Sequence, residues 1–365
     1  MTEIEPLDGF SEQQQRALRS IRTSRIILPI LVGLGVVGYL LWSQFNPEEF
    51  AKIQWTAHTF RWIALAFGFL VLRHLSYSMR LYIISGRQFS YPKCIELLFI
   101  WEFSTAVSPT SVGGTAAALV VLTQERLPAA KTATIVLYKV LLDSIFFSIT
   151  LPTLLLLFGK NMIHPSTQGS NAIHSSGYLL GITYILMFAY GSLLFYGLFV
   201  SPAKIKNILI GFTRIGFLKR FRERASVLGD EIVIASSDIK RQNWRFHLAA
   251  FAATSVAWCS RFLLINCLII AIIPTISMDF WTQVILFARV ATMYIVTLFS
   301  PTPGGAGLAE AVFGGFLSDY APAGVALIIA IIWRLMTYYS YLLAGVIVVP
   351  NWINNILAYR KEKEN

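Results

Sequence analysis

The sequence predicts an all-α polytopic membrane protein, with about six full spans and two re-entrant helical hairpins in an inverted-topology repeat. Three observations predict it. The 365 residues are 56% hydrophobic and 13% charged, with a mean hydropathy of +0.62, whereas soluble domains carry about 25% charged residues. Several runs of about 20 apolar residues hold almost no charge, the length that crosses a hydrocarbon core about 30 Å thick. A helix-breaking phrase also occurs twice inside such sequence, as SPTSVGG at 108–114 and as SPTPGG at 300–305.

The elements follow in order. Residues 1–25 are polar and mixed in charge and form a cytoplasmic tail. The run 26–42 follows Arg16, Arg19, Arg22 and Arg25. It is too long for a signal-peptide core and lacks a small-x-small cleavage site, so it is a retained first span. The loop 44–57 is poor in Lys and Arg and lies outside. Span two, about 58–83, returns to the basic stretch holding Arg80, Arg87 and Lys93. After 93–107, the first phrase and 112–122 comes span three, about 132–158. The Ser, Asn and His-rich loop 159–175 is outside, and span four covers about 176–200. The loop 202–245 holds ten Lys or Arg against four Asp or Glu, which places it in the cytoplasm. It reads either as a solvated basic loop or as a helix lying on the anionic inner leaflet. Span five, about 246–273, precedes an outer turn at Pro274; then come 280–299, the second phrase and 306–317. Span six covers about 324–349, and 350–365 is a cytoplasmic tail with Arg360, Lys361 and Lys363.

The pieces after the two phrases, 112–122 and 306–317, are 11 and 12 residues. At about 1.5 Å per residue they reach about 18 Å and cannot cross alone. Each phrase therefore reads as the tip of a hairpin. The first hairpin starts and ends on the basic side and the second on the opposite side, so the tips meet near the midplane. The halves 26–158 and 176–349 then match upside down. Arg80 in YSMRLYII echoes Arg261 in WCSRFLLI, and Lys139 in LYKVLLD echoes Arg334 in IWRLMTY. Inverted repeats with broken helices at the centre occur in many secondary transporters.

The tips have chemistry of their own. Ser108, Thr110, Ser300 and Thr302 are N-cap residues for the short helices that follow. Pro109, Pro301 and Pro303 break the preceding helices, and Gly113, Gly114, Gly304 and Gly305 permit close backbone approach. Free amides at two half-helix N-termini make an anion site without side-chain charge. The competing reading is that the breaks only let the hairpins turn and fit tightly.

Cations outnumber acids at membrane depth. Arg73, Arg80, Lys139, Arg261, Arg289 and Arg334 face Glu96, Glu102, Asp143 and Glu310. Each charge there costs about 2.5–3.5 kcal/mol on insertion scales. Lys139 and Asp143, four apart, can pair on one helical face. Arg73, Tyr77 and Arg80 share a face of span two, and Arg80 is close enough to the cytoplasmic end to snorkel. Lys139, Arg261 and Arg334 lie deeper. Either they form structural ion pairs, or together they attract a phosphate-bearing ligand. Glu310 can take a proton, meet a cationic head group or pair with Arg334.

Other classes are disfavoured. The net charge of +11 follows the positive-inside rule rather than signalling nucleic acid. Cys94, Cys259 and Cys267 match no disulfide framework or zinc site. There is no HExxH, Walker loop or metal-spaced cluster, so neither an enzyme nor a bound cofactor is expected.

The stretch SPTPGGAGLAEAVFGGFL (300–317) resembles the second signature of the flippase-like transmembrane family that includes the membrane half of lysylphosphatidylglycerol synthase/flippase. SPTSVGGTAAALVVL through VLYKVLLD resembles its first. Pro301, Pro303, Gly304, Gly305, Gly307 and Glu310 match the pattern, and Lys139 stands where many members have Arg. Thr115 and Ala117 or Ala118 replace an acid and an arginine common after the first Gly pair. The resemblance covers roughly 26–349 and implies lipid translocation. Lysyl-lipid synthesis in the family resides in a soluble C-terminal domain, which is not expected after Pro350.

The expectation is a flippase of the bacterial inner membrane, both termini cytoplasmic, that moves a phospholipid or polyisoprenyl-phosphate head group by alternating access. Its substrate-binding residues would be the two tips together with Lys139, Arg261, Glu310 and Arg334. A homo-oligomer is compatible with this. The alternative is a scaffold for a separately encoded lipid-linked glycosyltransferase or aminoacyl-lipid synthase docking on 202–245. A small-solute or ion-coupled transporter is a third reading, disfavoured by the lack of an evident ion relay.

Overall fold

The computed structural model describes residues 55–107, 127–159, 170–213, 222–297 and 308–364, together with a few positions around 51–53 and 118–125. The expected first span and both SPT phrases lie outside the described residues, as do the side chains of 308–311. Every regular element among the described residues is helical. They run α1 Ala57–Ile84, α2 Tyr91–Val107, α3 Ala129–Phe158, α4 Ser170–Phe195, α5 Pro202–Phe212, α6 Arg222–Lys240, α7 Trp244–Ile272, α8 Phe280–Thr297, α9 Leu308–Phe316, α10 Ala323–Arg334 and α11 Ser340–Glu364. One π-helical turn, Tyr196–Val200, extends α4, and another, Leu335–Tyr339, joins α10 to α11.

The chain is an α-helical multi-pass membrane protein. Among the described residues four helical stretches are long and apolar enough to cross a bilayer: Ala57–Ile84, Lys131–Phe158, Trp244–Ile272 and Gly324–Ile356. Leu65, Phe67, Val71 and Leu72 on α1, Leu155–Leu157 on α3, Ile182 and Ile185 on α4, and Leu343, Val346 and Ile347 on α11 all face outward. In water such a surface would be a liability, but lipid is the matching solvent for it.

Helix α7 is the central post. Every residue from Leu264 to Ile272 is buried, because this segment is apolar except for Asn266, whose amide donates to the Gln283 carbonyl at 2.9 Å, and has neighbours on every side. It lies along α1, and small side chains on both helices, Ala66, Ala250 and Ala257, are fully buried. Small residues let backbones approach closely where apolar contact with lipid gives no net driving force. Asn243 starts α7 by accepting from the Phe246 amide at 2.9 Å. Asp279 does the same for α8, with the Thr282 amide at 3.0 Å. Both are N-caps that satisfy a free first-turn donor.

Two regions differ from the sequence reading. The basic segment 202–245 is largely two helices, α5 and α6. The spacing of buried Ile232, Ala235 and Ile239 gives α6 one apolar stripe. That stripe joins Ile205 and Leu198 in a common cluster, and Lys131 of α3 faces Asp238 at 3.8 Å. The helices are thus docked on the membrane domain. The second difference is the C-terminal tail, where α11 continues through Pro350 to Glu364. Trp352 is buried and its indole Nε1 donates to Glu125 at 2.5 Å, which anchors the extension.

Candidate functional site

A cavity of about 680 Å³ opens between α1, α2, α3, α4, α7 and α8. Its wall combines charge with aromatic surface. Arg73 and Arg80 come from α1, Glu102 from α2, Lys139 and Asp143 from α3, and Arg261 from α7. Tyr77, Trp101, Phe147, Tyr190, Trp258 and Tyr294 supply rings. On the α4 side the lining is Leu186, Met187 and Tyr190, and Leu186 and Tyr190 are themselves about half exposed on the outer surface of the helices.

Helical spacing explains the charged wall. Arg73, Tyr77 and Arg80 recur at i, i+4 and i+7 on α1, so one face of α1 meets the cavity. The snorkelling reading of Arg80 does not hold. It is buried, and its Nη1 donates to Asp143 Oδ1 at 2.6 Å. Asp143 is a shared counter-ion. Oδ1 also accepts from Trp258 Nε1 at 2.9 Å, and Oδ2 faces Lys139 Nζ at 3.2 Å. The i, i+4 pairing of Lys139 with Asp143 is therefore present, within a larger cluster.

The second carboxylate is engaged as well. Glu102 Oε1 accepts from Arg73 Nη2 at 2.5 Å. The Arg73 Nη1 donates to Tyr341 Oη at 3.2 Å, which leaves the phenol hydrogen for His74 Nδ1 at 3.0 Å. His74 Nε2 then donates to the Ile95 carbonyl at 3.3 Å. This chain of bonds ties α1, α2 and α11 together at depth, where unmade polar bonds are costly.

Arg261 is different. Its guanidinium lies over the Tyr294 ring at 4.8 Å and the Trp258 ring at 5.5 Å. Among the described residues no carboxylate is within salt-bridge distance of it, although Glu102 is close enough to be felt electrostatically. Four cations and two carboxylates line the cavity, a formal excess of two positive charges. Such an excess at membrane depth suits an anion.

The structure brings together two of the sequence-derived site residues, Lys139 and Arg261. Arg334 is not in this wall. It is buried at the end of α10, with its guanidinium 5.3 Å from the centres of the Trp333 and Tyr338 rings. Tyr338 Oη donates to the Ala106 carbonyl at 3.2 Å, two residues before the first SPT phrase. Arg334 thus stands beside the approach to that phrase. Glu310 lies on α9, with its side chain outside the described residues. The tip residues Ser108, Pro109, Thr110, Gly113, Gly114, Ser300, Pro301, Thr302, Pro303, Gly304 and Gly305 lie outside the described residues too. Arg289 serves the fold: it pairs with Asp319 at 2.8 Å and donates to the Phe316 carbonyl at 3.2 Å, a cation on the C-terminal end of α9.

Sequence reasoning singled out Arg73, Arg80, Glu102 and Asp143 as buried charges without placing them in the site. It missed Trp101, Trp258 and Tyr294 altogether. The available signal was an aromatic within one turn of a charge, as in Trp101–Glu102 and Trp258–Arg261.

Comparison with known proteins now adds to this geometry. The chain is similar to a UPF0104 membrane protein of Archaeoglobus fulgidus, 24% identical over 347 residues that cover 88% of this chain and 95% of that protein. No solved structure matches it. Residues 26–345 match the family described as the lysylphosphatidylglycerol synthase TM region, and with nearly the whole membrane portion covered, the chain belongs to that family.

Proposed function

We propose that this protein is a lipid flippase or transporter that carries an anionic, phosphate-bearing head group across the bilayer by alternating access. The carrying observation is Arg261, a guanidinium held by two rings and without a contacting carboxylate among the described residues, in a cavity with an excess of positive charge. Arg73 and Arg80 are committed to Glu102 and Asp143. Lys139 also pairs with Asp143, so Arg261 is the group left to meet a phosphate, with the Lys139 charge nearby. The apolar α4 side supports an amphiphile, since Leu186 and Tyr190 are at once cavity lining and outer surface.

The inverted repeat belongs to the same proposal. In it α1 and α7 are equivalent spans, and they lie against each other. Helix α2 contacts α11 and α8 contacts α3, pairs that interchange when the halves are exchanged. Helix α9 has nine residues, about 14 Å, too short to cross alone. These contacts support two hairpins among about six spans. With the basic ends of α1 and α3 in the cytoplasm, the cavity faces the inner leaflet, and we read the protein as an inner-membrane carrier with both termini inside. Phospholipid and polyisoprenyl-phosphate lipids share the required phosphate. No catalytic step is assigned to the chain.

The test uses purified protein in vesicles containing lipids labelled on the acyl chain, with an impermeant quencher timing passage between leaflets. Wild type is expected to accelerate passage of an anionic lipid, and Arg261→Gln to lose at least about tenfold of that rate while remaining folded. Wild type indistinguishable from empty vesicles would overturn the proposal. A scaffold role is the second reading, favoured by exposed Ile208, Val227, Val233 and Ile234 on α5 and α6. Co-purification of a soluble enzyme, lost on altering those residues, would support it.

A further inference from the structure

We infer that Lys139 is a specificity-determining residue that bars cationic head groups, so that the cavity accepts a net-anionic lipid and rejects its aminoacylated form. This rests on the proposed head-group site and goes beyond it by naming what the site refuses.

A ligand ammonium can be held in a low-dielectric cavity in two ways: by a carboxylate, or by the faces of aromatic rings. Both kinds of partner are present here, and the protein's own cations occupy most of them. Glu102 is taken by Arg73 at 2.5 Å. Asp143 is taken on one oxygen by Arg80 and Trp258, and on the other by Lys139. Four of the six rings are occupied as well. Arg80 lies 4.5 Å and Arg73 5.3 Å from the centre of Tyr77, and Lys139 lies 5.5 Å from the centre of Trp101. Arg261 covers both Tyr294 and Trp258. An incoming ammonium therefore meets the excess of positive charge with both carboxylates and four of the six rings already engaged. A phosphate meets Arg261.

Lys139 is the movable member of this arrangement. Its neighbours Arg73 and Arg80 are buried, whereas its side chain is about one quarter exposed. It alone holds both Asp143 Oδ2 and the Trp101 ring. Removing its charge frees one carboxylate oxygen beside one ring face, which together form a site for an ammonium. Asp143 stays compensated by Arg80, so the replacement leaves no uncompensated buried carboxylate.

The test has two readouts on the full chain. The first is binding to detergent-solubilised protein of dihexanoyl phosphatidylglycerol and of its lysyl ester, followed by intrinsic tryptophan fluorescence, since Trp101 and Trp258 line the cavity. The second is passage of the acyl-labelled long-chain forms across vesicles. Wild type is expected to prefer phosphatidylglycerol by at least about tenfold. Lys139→Gln is expected to cut that preference several-fold through a gain for the lysyl ester, and Lys139→Arg to keep it. Equal binding of the two lipids by wild type, preference for the lysyl ester, or no binding of either overturns the inference, and so does an unchanged ratio in folded Lys139→Gln. If that variant does not fold, the wild-type ratio alone decides. Selective binding without passage overturns the transport proposal and leaves this inference standing; passage without selectivity does the reverse.

Discussion

Arg80 and Asp143, on α1 and α3, stand 2.6 Å apart in a pair that also draws in Lys139 and Trp258. The carboxylate is the shared counter-ion of two cations at membrane depth. Asp143→Asn leaves both without their counter-ion. Breaking one side of a buried pair typically costs about 3–5 kcal/mol, so this variant is expected to show a strongly lowered thermal midpoint in detergent. Arg80→Met combined with Asp143→Leu should be milder, because the buried guanidinium goes with its partner and only Lys139, a quarter exposed, is left without a carboxylate. Equal midpoints for wild type and Asp143→Asn would refute the role given to this cluster.

Gly345 and Phe103 show how closely α11 approaches α2. A Cβ at Gly345 would lie 2.1 Å from Phe103 Cδ2 and 2.6 Å from its Cβ. The ring cannot clear the added methyl by a small rotation, so Gly345→Ala is expected to cost about 1–3 kcal/mol of overpacking. In a Phe103→Ala background, itself destabilised by the lost buried ring, the added methyl should cost less, because the ring atoms it strikes are gone. A lowered thermal midpoint when Gly345→Ala is made alone, and a smaller further change when it is added to Phe103→Ala, is the predicted pattern.

Tyr341 links Arg73 to His74. Tyr341→Phe leaves His74 Nδ1 without its donor and Arg73 Nη1 without its acceptor. An unsatisfied buried group costs about 1–3 kcal/mol. A measurable fall in stability is expected, with the helix content unchanged by circular dichroism.

Asp279 gives a pH prediction outside the spans. Hydrogen bonds from Ser277 and Thr282 pull its carboxyl down to about 2. A depressed carboxylate stabilises the folded state fully above its unfolded value, near 3.8, and loses that contribution as pH falls through about 2. Asp279→Ala should therefore lower the thermal midpoint at pH 7 and converge with wild type towards pH 2. Asp279→Asn should retain most of the cap at pH 7, because its amide oxygen accepts the same amide.

The amino-acid sequence by itself determined the class, the helices and one pair. Apolar run length placed the spans now seen as Ala57–Ile84, Ala129–Phe158 and Trp244–Ile272 within three residues at each end, because a bilayer demands long apolar helices whatever their neighbours. Periodicity placed Arg73, Tyr77 and Arg80 on one face and Lys139 beside Asp143, since both relations lie within about two turns. What lay opposite those faces was decided by tertiary structure alone. Arg80 meets Asp143 from 63 residues away, Trp258 meets it from 115, and Tyr341 reaches His74 from 267. A helical period tells which residues share a face and is silent on which helix that face will touch. For the same reason Lys139 and Arg334, echoes in sequence, fall in different surroundings: one lines the cavity, and the other lies beside Tyr338 near the first SPT phrase.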